Sequence, residues 1–282
     1  MNNARLIGFA ALLLAAAVPL CAQTIPAEPL HDAGTSVTGA FEGWFRNPDG
    51  SFSLLLGYFN RNQRQPLDIP IGPDNRIEPG GPDRGQPAHF FPGRQYGMFA
   101  IKVPADFGTS KLTWTIVANG KTTTIPASLR QDYEISPFRE EAVGNTPPVL
   151  SFEEKGPTVQ GPTGLSIQRT TTVGAPLTLN AWVADDAKWT TLSGAPPRGL
   201  TTPVTLHWTR YRGPATVSFS ADRPSVEKIP GNAVFNGKAT TTATFTAPGD
   251  YTLHLVVNDL SGDGGGGEQC CWTFGTVNVT VR

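Results

Sequence analysis

The sequence predicts an all-β protein of two antiparallel β-sandwich domains. Short stretches of alternating apolar and polar residues recur along the chain, which is the pattern of strands with one buried face. Glycine (31 residues) and proline (26 residues) punctuate the 282-residue chain, and they favour frequent turns over long helices. The length is sufficient for one large or two ordinary domains with sizeable cores.

Residues 1–22 are predicted to be a secretory signal peptide. Arg5 precedes an apolar run from Leu6 to Leu20, and a small residue, Ala22, ends the segment. The run is too short to span a bilayer, so we expect no membrane span in the mature chain. Lipidation at Cys21 is disfavoured because small residues do not precede it. We therefore expect a secreted protein, located extracellularly, at the cell surface or in the periplasm.

The charge balance argues against a nucleic-acid partner. Lysine and arginine together number 22 and aspartate and glutamate 23, for a formal net charge of -1. Binding to nucleic acid requires a concentrated basic face, which this composition does not favour.

A domain boundary is predicted near residue 145, between residues 23–145 and 146–282. Threonine becomes much denser after this position, and the segment 136–148 is first charged and then proline-rich. Such composition is typical of linkers between domains.

Residues 23–145 are predicted to contain two hairpins and a further strand. The turn Asn47–Gly50 has proline and glycine where a tight turn needs them, and Asn119–Gly120 is the strongest short hairpin pattern. The hairpin strands are Phe41–Arg46 with Ser51–Phe59, and Lys111–Val117 with Thr122–Ile125; Met98–Val103 is the further strand. We expect six inward-facing residues to form the core: Leu112, Trp114, Ile116, Phe99, Ile101 and Val103.

A proline- and glycine-rich loop, residues 68–87, interrupts this pattern. Loops of such length inside a compact domain are usually functional or disordered. One interpretation is a ligand-binding loop that uses its charged and amide side chains. The alternative, which we favour, is a rigid loop covering a sheet edge. The candidate ligand-binding residues are Asp74, Asn75, Arg76, Glu78, Asp83 and Arg84.

Residues 146–282 contain several threonine-rich alternating segments, which predict a sandwich. Three segments carry a family pattern: Val173–Leu179 leading to Asp185-Asp186, then Leu206–Trp208, then Pro248–Asp259. This pattern resembles bacterial extracellular immunoglobulin-like domains, of which the polycystic-kidney-disease-type (PKD) and cadherin-like modules are the nearest relatives. The segment Thr209–Gly213 replaces the Phe-Gly-Asp-Gly run of PKD modules, which favours a more general immunoglobulin-like assignment. No family resemblance covers residues 23–145.

The resemblance implies roles for two aromatic residues. Trp208 would be the buried tryptophan of strand C, and Tyr251 would occupy the tyrosine-corner position at the start of strand F. The fold hosts many functions, so the resemblance implies an architecture more strongly than an activity.

An acidic cluster is predicted at one end of the second domain. In an immunoglobulin-type sandwich strands B and F run the same way, so the loops after them share one end, near Asn145. The acids concerned are Asp185 and Asp186 after B, and Asp259 and Asp263 after F. Oxygen ligands of this kind suit Ca²⁺, and cadherin-like modules place calcium at domain junctions. The alternative is a set of solvated turn residues, since turns favour aspartate.

Cys270 and Cys271 are the two cysteines of the mature chain. In an oxidising compartment they could close a vicinal disulfide, pair between chains or stay free.

Motifs that carry catalytic chemistry are weak. Residues 262–267 match G-x-G-x-x-G, but a strand-like segment rather than a helix follows, so phosphate binding is not expected. His207 and His254 alternate with core positions and are expected to face solvent. We therefore expect a non-catalytic binding or scaffolding protein whose partner is a protein or a glycan. The alternatives are a structural subunit that self-assembles through strand edges, and a glycan-active enzyme.

Overall fold

The described residues form β-strands joined by turns, which confirms the predicted all-β class. The computed structural model describes residues 31–140, 144–188, 202–231, 234–259 and 270–282. The predicted signal peptide, Asp263 and the glycine-rich segment 262–267 lie outside these residues. Within the described residues, no helix is long and apolar enough to cross a membrane.

The described residues of the first half form eight strands and one turn of 3-10 helix, Gln131–Tyr133. The strands are β1 (Val37–Arg46), β2 (Phe52–Asn60), β3 (Leu67–Asp68), β4 (Asn75–Glu78), β5 (His89–Phe90), β6 (Gly93–Val103), β7 (Lys111–Ala118) and β8 (Lys121–Ser128). They form the antiparallel sheets β1-β2-β6 and β4-β7-β8 and the small ribbon β3-β5.

Both predicted hairpins of the first half are present. Strand β1 pairs with β2 across the turn Asn47–Gly50, where Gly50 has a φ of +81° and its N–H donates to Asn47 O at 3.0 Å. Strand β7 pairs with β8 across Asn119 and Gly120, which both have positive φ. The predicted inward residues are buried in one cluster, and the Phe99 and Trp114 rings meet edge to face at 5.3 Å. This cluster joins the two three-stranded sheets.

The described residues of the second half form ten strands in two sheets. They are β9 (Val149–Ser151), β10 (Val159–Gln160), β11 (Leu165–Thr171), β12 (Leu177–Asp185), β13 (Val204–Arg212), β14 (Val217–Phe219), β15 (Glu227–Lys228), β16 (Phe235–Phe245), β17 (Gly249–Asp259) and β18 (Trp272–Val281). The first sheet has the order β10-β9-β12-β16-β14, and β15 also pairs with β16; we call it the six-stranded sheet. The second has the order β11-β18-β17-β13, in which β11 and β18 are parallel; we call it the shared sheet.

The two sheets of the second half enclose their own hydrophobic core. Trp208 is 1% exposed and packs against Phe152, with the ring centroids 5.9 Å apart. Tyr251 is buried, and its hydroxyl donates to Ala247 O, four residues upstream, at 2.8 Å. Trp208 is therefore buried and Tyr251 bonds the backbone upstream of it, while the family assignment and the strand C and strand F roles stay predictions.

A third apolar cluster joins the two halves. It contains Phe45, Leu55 and Ile135 from the first half and Trp272 and Phe274 from β18. The Trp272 ring packs on the backbone at Gly97, and a Cβ at that glycine would collide with the ring. Part of the shared sheet is therefore covered on both faces, and residues 31–282 form one compact unit.

His254 was predicted to face solvent, and this prediction is wrong because the second face of the shared sheet is covered. This residue is 1% exposed, and its ring lies between Tyr211 and Phe274 with centroids 5.1 and 5.4 Å away. Burial lowers the pKa of His254 to about 4, so the ring is neutral at physiological pH. The alternating pattern was correct, but the face predicted to meet solvent meets the first half instead.

The second part of the predicted linker, residues 144–148, is mostly buried. Asn145 is 0% exposed, and Gly144, Pro147 and Pro148 are also buried. The cut between residues 145 and 146 stays a prediction, since each half has its own core and both contribute to the third cluster.

Replacing Trp208 by alanine is expected to lower the free energy of unfolding by about 3–5 kcal/mol, because the change empties a buried aromatic position in a packed core. Urea denaturation of the wild type and the variant measures this difference. Thr178→Ala, on an exposed position of β12, is the control and should stay within about 0.5 kcal/mol of the wild type. A Trp208→Ala protein as stable as the control would mean that this core is assigned to the wrong residues.

Candidate functional site

The loop 68–87 is ordered by one buried amide. Asn75 is 0% exposed, and its Nδ2 donates to Ile69 O at 2.9 Å and to Pro87 O at 2.7 Å. Its Oδ1 accepts from Trp114 Nε1 at 3.0 Å. Asn75, one of the six candidate ligand residues, thus links both ends of the loop to Trp114 in the core. Arg76 pairs with Glu78 at 2.8 Å, within the loop.

The same loop contacts strand β13 of the second half. Asp83 accepts two hydrogen bonds from the Arg212 guanidinium, at 2.9 and 2.8 Å. Arg212 Nε also donates to Gln86 O at 2.9 Å, and the Tyr211 hydroxyl donates to Gly85 O at 2.7 Å. The loop therefore covers one edge of the shared sheet, as the favoured interpretation expects, while a ligand-binding role for its remaining charged residues stays a prediction.

A β-bulge aims Tyr211 at the first half. The register of β13 against β17 shifts between Arg210 and Arg212, which leaves Tyr211 without a directly opposed partner. The Tyr211 ring joins the hydrophobic cluster of residues 37–127. Beside it, Arg210 donates to Asp68 Oδ2 at 3.0 Å. Sequence reasoning missed these residues because their partners lie more than 100 positions away in the chain.

The Asp83–Arg212 pair is expected to contribute a coupling energy of about 1 kcal/mol. It is bidentate, but the Asp83 side chain is 51% exposed, so solvent screens the attraction. A double-mutant cycle with Asp83→Ala and Arg212→Ala, measured by urea unfolding, gives this value. The more exposed Arg130–Asp132 pair is the control and should give a smaller coupling energy. Equal coupling in the two cycles would contradict the prediction, because the loop contact would then be no stronger than an exposed local pair.

Two predicted metal ligands, Asp185 and Asp259, meet inside the second sandwich. Each ends its strand, and each is on the core-facing side, as Val183 and Val257 are. They are 5% and 4% exposed. Asn145 Nδ2 donates to Asp259 Oδ2 at 2.6 Å. The topology argument therefore brought two acids of opposite sheets and the linker asparagine to one place.

Part of this polar group lacks hydrogen bonds. Asp185 Oδ1 accepts from the Ala187 N–H at 2.8 Å, but Asp185 Oδ2 and Asn145 Oδ1 are buried with no hydrogen-bond partner among the described residues. Buried unpaired oxygens are costly, so a proton or a cation at this position would stabilise the fold.

The other two predicted ligands do not complete a cage within the described residues. Asp186 accepts from Thr146 Oγ1 at 3.1 Å, and Lys188 Nζ lies 3.3 Å from its Oδ2. Lys188 Nζ also donates to Gly144 O at 3.0 Å. Asp263 lies outside the described residues, and those that are described contain no group of three or more metal-ligating acids, histidines or cysteines. Two carboxylates and an amide oxygen suit Ca²⁺ chemically but are fewer than its usual six to eight ligands.

The pKa of Asp185 is raised to about 7. Burial is the largest cause, the hydrogen bond from the Ala187 N–H opposes it, and the negative charges of Asp259 and Asp186 add to it. Asp185 is therefore about half protonated near neutral pH. A protonated Asp185 removes the repulsion between two buried carboxylates without any cation.

The cysteines form part of the same polar group. Cys270 and Cys271 are joined in a vicinal disulfide, and both are buried. Their sulfurs lie 4.0 and 3.7 Å from the Asn145 carbonyl oxygen. The Asp259 N–H donates to Cys271 O at 3.3 Å. The disulfide thus packs against the same asparagine that bonds Asp259, a convergence that no local pattern in the sequence indicates.

Asp185→Asn is expected to remove a pH dependence of stability. Because the folded pKa is raised from about 4 to about 7, the protonated form favours folding; this contribution is fully present below pH 4 and is lost as pH rises through 7. Relative to Asp185→Asn, the wild type should lose stability between pH 4 and 7 by at most about 1.4 kcal/mol per pH unit.

Urea unfolding of both proteins at several pH values measures this difference. The comparison with the variant is needed because His254 gives the stability of both proteins an opposite pH dependence. Its pKa is lowered, so its contribution to stability is lost as pH falls from about 6.5 through 4. Parallel stability profiles for the two proteins would show that Asp185 titrates normally.

Comparison with known proteins gives no family. No family model and no curated protein matches the chain. Among solved structures, the chain is similar to domains 4 and 5 of the S-layer protein SbsC, at 14% identity over 87% of this chain and 98% of that one, with a TM-score of 0.20. It is also similar to dimeric latent PorU from Porphyromonas gingivalis, at 12% identity and a TM-score of 0.28, and spans about a quarter (24%) of that protein. Scores this low carry no argument about fold or function.

Proposed function

We propose that the protein is a secreted, non-catalytic binding or scaffolding protein that acts at the cell surface or in the periplasm on a protein or glycan ligand. The observation that supports this function most is the double coverage of the shared sheet. Trp272 and Phe274 bind its outer face to the first half, and the six-stranded sheet covers its inner face. Two β units that are packed together in this way form a scaffold whose outer surfaces can bind a ligand.

The test compares binding with turnover. The purified mature chain is incubated with immobilised polysaccharides and with envelope proteins from a bacterial lysate, and the soluble fraction is assayed for released reducing sugar. Saturable binding to one purified component without release supports the proposal. Release of sugar in proportion to protein concentration would overturn it in favour of a glycan-active enzyme.

A structural subunit that assembles through a strand edge is the second candidate. Strand β11 pairs with β18 on one side, and within the described residues no strand pairs with its other side. Such an edge can accept a strand from another chain. Light scattering after size exclusion distinguishes the candidates: a concentration-dependent rise in mass supports assembly, whereas a monomer over the whole concentration range contradicts it.

Calcium is a further part of the proposal. The two carboxylates of Asp185 and Asp259 and the amide oxygen of Asn145 would bind the ion. The ion would supply positive charge between the two carboxylates. The prediction is that millimolar calcium raises the melting temperature and that a chelator lowers it, since a ligand that binds the folded form alone stabilises it. Asp259→Asn should abolish this response, whereas Asp132→Asn, a solvated acid, should retain it. Identical melting curves with calcium and with chelator would contradict calcium binding.

A further inference from the structure

A groove lies on the outer face of the six-stranded sheet. Its volume is about 270 Å³, and Trp182, Ala184 and Asn236 line it from strands β12 and β16. Glu154, Gly156 and Thr158 line it as well, and so does Ile229, which follows β15. A groove of this size is slightly smaller than the pockets of about 300–1,000 Å³ that enclose drug-sized molecules, so it suits one or two rings of a longer ligand.

Trp182 is the aromatic side chain of this groove. Its neighbours Ala181 and Val183 are buried in the core, so the alternation of β12 turns the indole outward, where it is partly exposed. Lys238 Nζ lies 5.1 Å from the indole centroid, so a cation–π contact already occupies part of one face of the ring. The rest of the indole surface lies outside the core, where a ligand can contact it.

The backbone beneath the groove disfavours a peptide ligand. Trp182 is opposed by Ser151 of β9 on one side and by Lys238 of β16 on the other. Strand β16 in turn pairs with β12, β14 and β15. A peptide that binds by adding a strand needs free backbone groups at a sheet edge. This floor is in the middle of a sheet, so recognition must come from side chains.

The charges near the groove favour an uncharged ligand. Glu154 is the acidic residue of the lining, and Lys238 places one ammonium over the indole. The remaining lining is apolar or carries neutral hydroxyl and amide groups, such as those of Thr158 and Asn236. An anion would meet the Glu154 carboxylate, and a second cation would meet the Lys238 ammonium.

We propose that this groove binds a neutral sugar ring of a glycan, with the indole of Trp182 as its stacking platform. The proposal rests on the proposed binding function and names its ligand class. A sugar ring has an apolar C–H face that matches the negative face of an indole, and hydroxyls that match hydroxyl, amide and carboxylate groups. Trp182, Thr158, Asn236 and Glu154 supply this set of groups.

The test uses the full mature chain and neutral polysaccharides. Affinity electrophoresis in gels containing dextran, laminarin or soluble starch, and pull-down on cellulose and chitin, identify a binding polysaccharide. An oligosaccharide of that polymer is then titrated by calorimetry. Trp182→Ala should weaken its binding by roughly tenfold or more, because the stacking face is lost, whereas Trp182→Phe should keep most of the affinity. Thr178→Ala, on the same face of β12 but outside the groove, should bind like the wild type.

Melting temperatures of all variants separate binding from folding. Weak binding by a Trp182→Ala protein that melts like the wild type supports the groove. Undiminished binding by Trp182→Ala, or no binding of any polysaccharide in the panel, overturns the groove as a glycan site while leaving a protein ligand for the proposed function. Hydrolysis of the bound polysaccharide overturns the non-catalytic function but not the groove, so the two failures are distinguishable.

Discussion

The structure depends on the burial of Trp272 against Gly97. This contact covers the second face of the shared sheet, whose first face already carries the core residues Leu253, Leu255 and Val257. A strand segment with two buried faces cannot hold an unpaired charge, which is why His254, between two aromatic rings, has a lowered pKa. The glycine is as necessary as the tryptophan, because any side chain at position 97 would occupy the space of the indole.

Hydrogen bonds between β13 and the first half flank the apolar contact of Trp272 with Gly97. Arg212 bonds Asp83, Tyr211 bonds Gly85, and the Ala88 N–H donates to Tyr211 O at 3.2 Å. The arrangement resembles a protein–protein interface, with an apolar centre and a hydrogen-bonded rim. The loop 68–87 therefore blocks an edge to which another strand could add.

Local features of this fold are predictable from sequence, and distant pairings are not. The turns at Asn47–Gly50 and Asn119–Gly120 specify hairpins because the conformational requirement and the residue that meets it are adjacent. The meeting of Asp185 and Asp259 was also predictable, because the resemblance supplied a topology. In contrast, Asp83 and Arg212 are 129 positions apart, and nothing near either residue specifies the other. His254 was misplaced for the same reason: alternation identifies a face but not what covers it.

Strand β12 connects the polar group at the end of the sandwich to the groove outside. The side chains of Trp182 and Ala184 face the groove, whereas those of Val183, which also borders the groove, and Asp185 point inward. A change in the charge of Asp185 therefore occurs one residue from the groove lining. The strand is nevertheless held by β9 on one side and β16 on the other, with Asp185 itself paired to Phe235. Because these ladders fix the backbone of β12, protonation or a cation at Asp185 should act on the stability of the whole sandwich and leave the shape of the groove unchanged.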